Sequence, residues 1–317
     1  MSRPLDAGER VLLFDSKGRR YLVTLAEGGV FHTHTGPLEH DKLIGREEGS
    51  RVRSRQGARY VAVRPTLAEV VLKMPRGAQV IYPKDLGPIL MRADIFPGAR
   101  VLESGLGSGA LSMTLLRAGA LVSGYEIRED FAARAKGNVV GFLGADALDR
   151  YEVKIGDVYD GIEERDLDRV VLDLPEPWRV VKHAETALRS GGILVSYLPT
   201  ITQAVTLREA LATSSFGMVE TVEVLERSWH IEGQSVRPDH RMVAHTGFLT
   251  SARLLPFGES EPPLLDAPPL DAPPLDTPPL DTPPLGTLPL DNPPPGTEEP
   301  AEQLQPDLPE RPEPPLG

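Results

Sequence analysis

Four carboxylates in this chain, Glu103, Glu126, Asp157 and Asp173, each stand at the end of a short apolar run. The first opens the loop Glu103-Ser104-Gly105-Leu106-Gly107-Ser108-Gly109. Glycines at 105, 107 and 109 let backbone approach a ligand closely, and the free amides at the start of the helix that follows point toward it. With Ala110 the loop also satisfies the loose dinucleotide pattern G-x-G-x-x-G/A, so glycine spacing alone leaves a nicotinamide dinucleotide and S-adenosylmethionine both open. Glu103 separates them: two residues before the first glycine, it would repel a pyrophosphate and attract the ammonium of a methionine moiety. The bland alternative is a tight strand-to-helix turn with no ligand.

Glu126 follows Gly107 by 19 residues and closes the next apolar run, where an acid can accept from both hydroxyls of a ribose. Asp157, in Ile155-Gly156-Asp157-Val158, is placed either to accept from an adenine amine or to cap a turn. Asp173 leads into Leu174-Pro175-Glu176-Pro177-Trp178, a carboxylate followed by two stiffening prolines and an aromatic. Such a loop can fix an acceptor against a nucleobase amine, with catalysis by orientation; Trp178 serves more simply as a core anchor. Tyr82, in Ile81-Tyr82-Pro83-Lys84-Asp85, and Tyr197, in Ser196-Tyr197-Leu198-Pro199, flank the same region and are candidates to stack on an extruded base. His32 and His34 have no clear carboxylate partner, so no metal is expected.

These residues need a frame that brings strand ends together. The spacing predicts strands over 100–103, 121–125, 151–155, 169–173 and 192–197, with helices over 108–117, 129–140, 178–189 and 201–213. Gly191 and Gly192 are the expected stop for the third helix. That alternation implies an α/β fold with a parallel sheet, whose ligands bind outside the carboxyl ends of the strands. Two further strands, 218–225 and 242–250, lack an intervening helix and are expected to pair antiparallel at the sheet edge. Residues 1–75 read as a small β-rich unit, with runs at 11–14, 20–25 and 60–63 and a hairpin turn at Asp15-Ser16-Lys17-Gly18. Its arginines 46, 51, 53, 55 and 59 suit phosphates, or form a solvated face.

Residues 259–317 hold 20 of the 32 prolines and thirteen acids against one base, so the whole net charge of −12 belongs there and the rest of the chain is neutral. A five-residue repeat from Leu265 to Pro284, with paired prolines, forbids helix and ladder pairing, and the tail is expected to be disordered or polyproline-like. A solubilising role is the simpler expectation; an unknown proline-binding partner is the alternative. The absence of cysteine excludes disulfides and thiolate chemistry. With neither an apolar signal core at Met1–Arg10 nor a run long enough to span a bilayer, a soluble cytoplasmic protein with no membrane contact is expected.

Taken together, residues 5–250 resemble the bacterial and archaeal tRNA adenine-N1 methyltransferases that modify position 58 of the T-loop. The resemblance rests on Gly29-Val30-Phe31-His32-Thr33-His34 with His40-Asp41, on Gln79 through Asp85, on the glycine loop, on Asp173 through Trp178, and on Arg237-Pro238 and His245-Thr246-Gly247-Phe248. It implies a Rossmann-like class I methyltransferase domain, residues 76–258, preceded by a small β domain, residues 1–75. It also implies S-adenosyl-L-methionine as cofactor, tRNA as partner, a homotetramer and Asp173 in the catalytic pocket. Cofactor contacts carry over to Ser108, Gly109, Ala110, Leu111, Glu126, Asp157 and Asp173. Relatives often have histidine where this chain has Phe131, and alanine where it has Ser104, so cofactor affinity is expected to differ. The rival readings are an N6-adenine or small-molecule methyltransferase, a noncatalytic RNA-binding scaffold, and a nicotinamide dehydrogenase.

Overall fold

A computed structural model describes residues 3–255 apart from 75, 76 and 78. All of them fall within one compact unit, Met1–Leu270. The repeat-rich tail over 259–317 lies outside the described residues.

The amino-terminal sheet grows from the expected hairpin. Strands β1 (Arg10–Asp15) and β2 (Arg20–Thr24) pair antiparallel, and Asp15 Oδ1 closes the turn by accepting from the backbone nitrogens of Lys17 and Arg19 at 2.8 and 3.0 Å. A short pair, β3 (Val30–Phe31) and β4 (Leu38–Glu39), precedes β5 (Arg51–Arg53) and β6 (Arg59–Val63), and the larger sheet runs β2-β1-β6-β5. Strand alternation sends Val52 into a core with Val11, Leu13, Leu38 and Tyr60 and leaves Arg51 and Arg53 exposed on the edge strand.

Two helices absent from the sequence expectation connect the sheets. α1 (Leu67–Lys73) starts at a capping box between Thr66 and Glu69, and α2 (Pro83–Arg92) starts at a proline, whose missing N–H costs nothing in the first turn.

The central sheet is built from β7 (Arg100–Ser104), α3 (Ala110–Arg117), β8 (Leu121–Glu126), α4 (Glu129–Leu143), β9 (Tyr151–Ile155), β10 (Leu167–Leu172), α5 (Val181–Ala187), β11 (Leu188–Leu198), α6 (Ile201–Ala212) and β12 (Phe216–Glu223). A protruding hairpin, β13 (Trp229–Glu232) with β14 (Ser235–Pro238), and the last strand β15 (Phe248–Leu254) complete it. Strand order is β12-β15-β11-β10-β7-β8-β9. The five strands β7 to β11 are parallel, and β15 is antiparallel to both β11 and β12, so the predicted edge pairing is present. Chain order reverses between β7 and β10, which opens a crevice at their carboxyl ends.

Several boundaries differ from expectation, and two of the differences have an identifiable cause. The third helix stops at Ala187, ahead of the two glycines, and β11 begins at once. Gly191, at φ +76°, lies inside that strand: Leu167 pairs with Leu188 but Arg169 with Ile193, and the surplus residues of β11 bulge at the glycines. The final strand starts at Phe248, not at 242, because the segment before it is held by side chains: His245 lies between Glu223 and the carbonyl of Pro199.

Candidate active site

The crevice at the switch point is a cavity of about 380 Å³ lined by Gly105, Gly107, Glu126, Phe131, Asp157 and Asp173, among others. Gly105 adopts φ +89°, and a Cβ there would lie 2.1 Å from the carbonyl oxygen of Asp173. Asp173 in turn donates its backbone N–H to Ser104 O at 2.9 Å. The cofactor-type loop and the catalytic-type carboxylate are thus packed backbone to backbone. Gly107, at φ +50°, has nothing within 4 Å of where a Cβ would sit, so the loop is open at that point. Ser108, Gly109, Ala110 and Leu111 are buried behind it. The Ser108 carbonyl accepts from Asn138 Nδ2 at 2.9 Å while its hydroxyl has no partner among the described residues.

Each acid has its own environment. Glu103 is fully buried beneath the loop and does not line the cavity. One oxygen accepts from Ser112 Oγ at 3.0 Å and the other has no partner among the described residues. Burial pushes its pKa up to about 8, opposed by the Ser112 hydrogen bond and reinforced by the charges of Asp173 and Glu126. Glu126 is nearly buried, its two oxygens accepting from Gly107 N at 3.3 Å and Arg128 N at 3.1 Å. Asp157 is exposed at the rim, and Oδ1 accepts from Tyr159 N at 2.9 Å, so it caps a turn and lines the cavity at once. The carboxylate of Asp173 opens into the cavity yet lies deep in the surrounding protein, and this burial pushes its pKa up to about 7. Among the described residues nothing donates to it.

Phe131 forms part of the wall, with the guanidinium of Arg128 3.9 Å and that of Arg134 5.4 Å from its ring centre. Tyr82 and Tyr197 do not line this cavity. Tyr82 caps α2, and Tyr197, nearly buried, donates its hydroxyl to Thr246 O at 2.5 Å. Burial pushes the Tyr197 pKa up to about 12, opposed by its hydrogen bond to Thr246 and reinforced by Asp85, Asp173 and Tyr82. Trp178 packs on the core beneath the sheet, as an anchor would.

Sequence reading missed Gln79, Ile127, Val158, Tyr159, Leu174 and Pro175, which also line the cavity. Tyr159 braces the rim: its hydroxyl accepts from Glu176 N at 3.0 Å and Arg179 stacks 4.1 Å from its ring centre. An aromatic two residues beyond a strand-end aspartate was the available signal. The donor set fits S-adenosyl-L-methionine: acids at the strand ends for hydroxyls and amine, apolar walls at Val158, Leu174 and Phe131 for a flat ring, and glycine backbone at positions 105 and 107 for close approach of the methionine end.

Comparison with known proteins agrees with this geometry. Residues 59–239 match the family described as the GCD14 subunit of the tRNA methyltransferase complex, and residues 4–52 match the TrmI-like N-terminal family. The tRNA (adenine(58)-N(1))-methyltransferase TrmI of Thermus thermophilus is 40% identical over 246 residues, 77% of this chain and 96% of that protein. Two crystal structures superpose closely. A SAM-dependent O-methyltransferase from Thermotoga maritima has a TM-score of 0.76 at 32% identity, covering 80% of this chain and 96% of that one. The tRNA (m1A58) methyltransferase TrmI from Aquifex aeolicus has 0.71 at 30%, covering 80% and 100%. A strand-end set of carboxylates around a glycine loop, on a chain that matches these proteins in both its parts, makes this protein a member of the TrmI/GCD14 family of tRNA methyltransferases.

Proposed function

We propose that this chain transfers a methyl group from S-adenosyl-L-methionine to N1 of adenosine 58 in the T-loop of tRNA. The observation that carries the reading is Asp173, whose carboxylate lines the cavity with no donor among the described residues and whose backbone carbonyl packs against the cofactor loop at Gly105. The cofactor supplies an electrophilic methyl group, and N1 of adenine is already a lone-pair nucleophile, so no covalent enzyme intermediate is needed. The protein's task is alignment and charge stabilisation. As N1 gains its fourth valence, positive charge spreads to the N6 amine; an acceptor there binds the transition state more tightly than the ground state. Asp173 takes that role, Tyr82 and Tyr197 confine the extruded base, Glu126 holds the ribose hydroxyls and Asp157 the adenine amine of the cofactor. Gly105, Gly107 and the Ser108–Leu111 turn shape the methionine end, with Glu103 bracing the loop from below through Ser112 and Phe131 closing the wall.

The division into a tRNA-positioning unit over 1–75, a catalytic unit over 76–258 and the tail belongs to this reading. So do the cytoplasmic location and the homotetramer. Among the described residues no helix is long and apolar enough to cross a membrane. Arg51, Arg53 and Arg59 are exposed, with Arg53 directly opposite Arg59 across β5 and β6. Like charges so placed repel, and RNA phosphates would relieve the repulsion. Support for self-association comes from the β13–β14 hairpin, where Trp229, Ile231 and Val236 are 56%, 72% and 60% exposed.

The test is incubation of the full chain with unmodified tRNA and methyl-labelled cofactor, followed by mapping of the label. Methyl on N1 of adenosine 58 is the expected result. Label on N6, or none, refutes the reading.

A further inference from the structure

Of the signature Gln79–Asp85 only Gln79 lines the cofactor cavity, and His245-Thr246-Gly247-Phe248 contributes nothing to it. The two signatures meet in the fold all the same. Lys84 and Asp85 pair at 2.8 Å with side chains only 3% and 0% exposed. Lys84 Nζ also donates to Val224 O at 2.6 Å. Across a sequence separation of 161 residues, Thr246 Oγ1 donates to Asp85 Oδ2 at 2.6 Å. Thr246 O accepts from the Tyr197 hydroxyl, and Gly247 is a necessary glycine, since a Cβ there would lie 2.5 Å from the Tyr197 ring. His245 pins the same segment from outside, Nδ1 against Glu223 Oε1 at 2.7 Å and Nε2 against Pro199 O at 2.9 Å. At the other end, the backbone nitrogens of Asp85 and Leu86 donate to Tyr82 O at 2.9 and 3.0 Å.

A charged pair withdrawn from water gives little or no stability over apolar residues of the same size, whereas removing one partner is strongly destabilising. Its value here is geometric. The chain of contacts ties the start of α2, the end of β11 and the start of β15 to one another, and both tyrosines hang from it. We propose that Lys84, Asp85 and Thr246 form a buried strut that positions Tyr82 and Tyr197 as walls of the target-base pocket, separately from the cofactor cavity. These are positioning residues, acting through the tyrosines. The proposal rests on the methyltransferase reading above.

The test uses the full chain carrying Thr246→Val, which deletes one hydroxyl at nearly constant volume, beside Thr246→Ser, which keeps it. Methyl transfer to unmodified tRNA is measured well below the unfolding temperature, and S-adenosyl-L-homocysteine affinity is measured by calorimetry. Thr246→Val is expected to lower kcat/KM for tRNA about tenfold or more while the S-adenosyl-L-homocysteine Kd stays within about twofold, and Thr246→Ser is expected to stay within about threefold of the parent. The proposal falls if the Kd weakens in step with activity, if the folded serine variant is as impaired as the valine variant, or if the valine variant keeps parental activity. Should Thr246→Val not fold, Tyr197→Phe cuts the same chain without stranding a buried charge and must show the same split between turnover and Kd; otherwise the proposal fails. A parent chain that does not methylate tRNA overturns the functional reading itself, a different outcome from any of these.

Discussion

Asp173 joins a carboxylate with no donor among the described residues, a pKa of about 7 and a place in the wall of the cofactor cavity. If its ionised form accepts from the target amine, kcat/KM falls as pH drops below about 7. Asp173→Asn is expected to flatten that limb, and Asp173→Ala to lower kcat roughly a hundredfold or more with cofactor affinity nearly unchanged. Equal loss of cofactor binding would instead make this residue a ligand of the methionine amine. Glu103 predicts an effect on stability. Its pKa rises from 4.5 to about 8 in the fold, so the folded chain holds a proton that the unfolded chain releases. The resulting stabilisation is complete below the unfolded value and is lost as pH climbs through about 8. Glu103→Gln, which mimics the protonated acid, should therefore melt a few degrees above the parent at pH 8.5 in the absence of cofactor and about level with it near pH 4.5. A melting difference that does not change with pH would argue against a proton held at this site.

The parallel strands and the glycine turn also carry their own prediction. Gly105 and Gly107 both have positive φ, but only Gly105 meets backbone where a side chain would begin. Gly107→Ala should cost about 1–2 kcal/mol of stability, the ordinary penalty of a left-handed residue. Gly105→Ala should cost clearly more and displace Asp173; similar denaturation midpoints for the two variants would contradict this. How far these elements were legible depended on where their signals lay. β7, β8 and β10 were readable because they are buried along most of their length and so are written as largely apolar runs with an acid at or just after the end, whereas β9, at the sheet edge, reads as alternation. α1 and α2 were not read: α1 has only seven residues, and in α2 Gly87 and Pro88 are helix-breaking residues that interrupt an otherwise amphipathic pattern. The carboxylates of the cavity were visible as strand ends, whereas Tyr159 and Gln79 sit on loops whose course no periodicity fixes. That Tyr197 turns its hydroxyl to Thr246 follows from pairing β11 with β15, a contact between residues 49 apart that only the fold creates.

At the scale of the whole molecule, several exposed apolar side chains among the described residues fall close together in the chain around one hairpin. Leu225, Trp229, Ile231, Val236, Met242 and Val243 all fall within or beside the β13–β14 hairpin and are between 43% and 72% exposed. If copies assemble through it, Ile231→Asp should yield a smaller species in sedimentation with the fold intact, and an unchanged sedimentation coefficient would move the interface elsewhere. The contact between Gly105 and Asp173 reaches further than either residue. A methyl donor that settles into the loop also sets the carboxylate facing the acceptor, so the two substrates share one mechanical element. If donor binding thereby raises tRNA affinity, thermodynamic reciprocity requires tRNA to raise donor affinity by the same factor. Titrating tRNA with and without saturating S-adenosyl-L-homocysteine, and the reverse, should return two equal ratios greater than one; a ratio of one would mean that donor and acceptor bind independently.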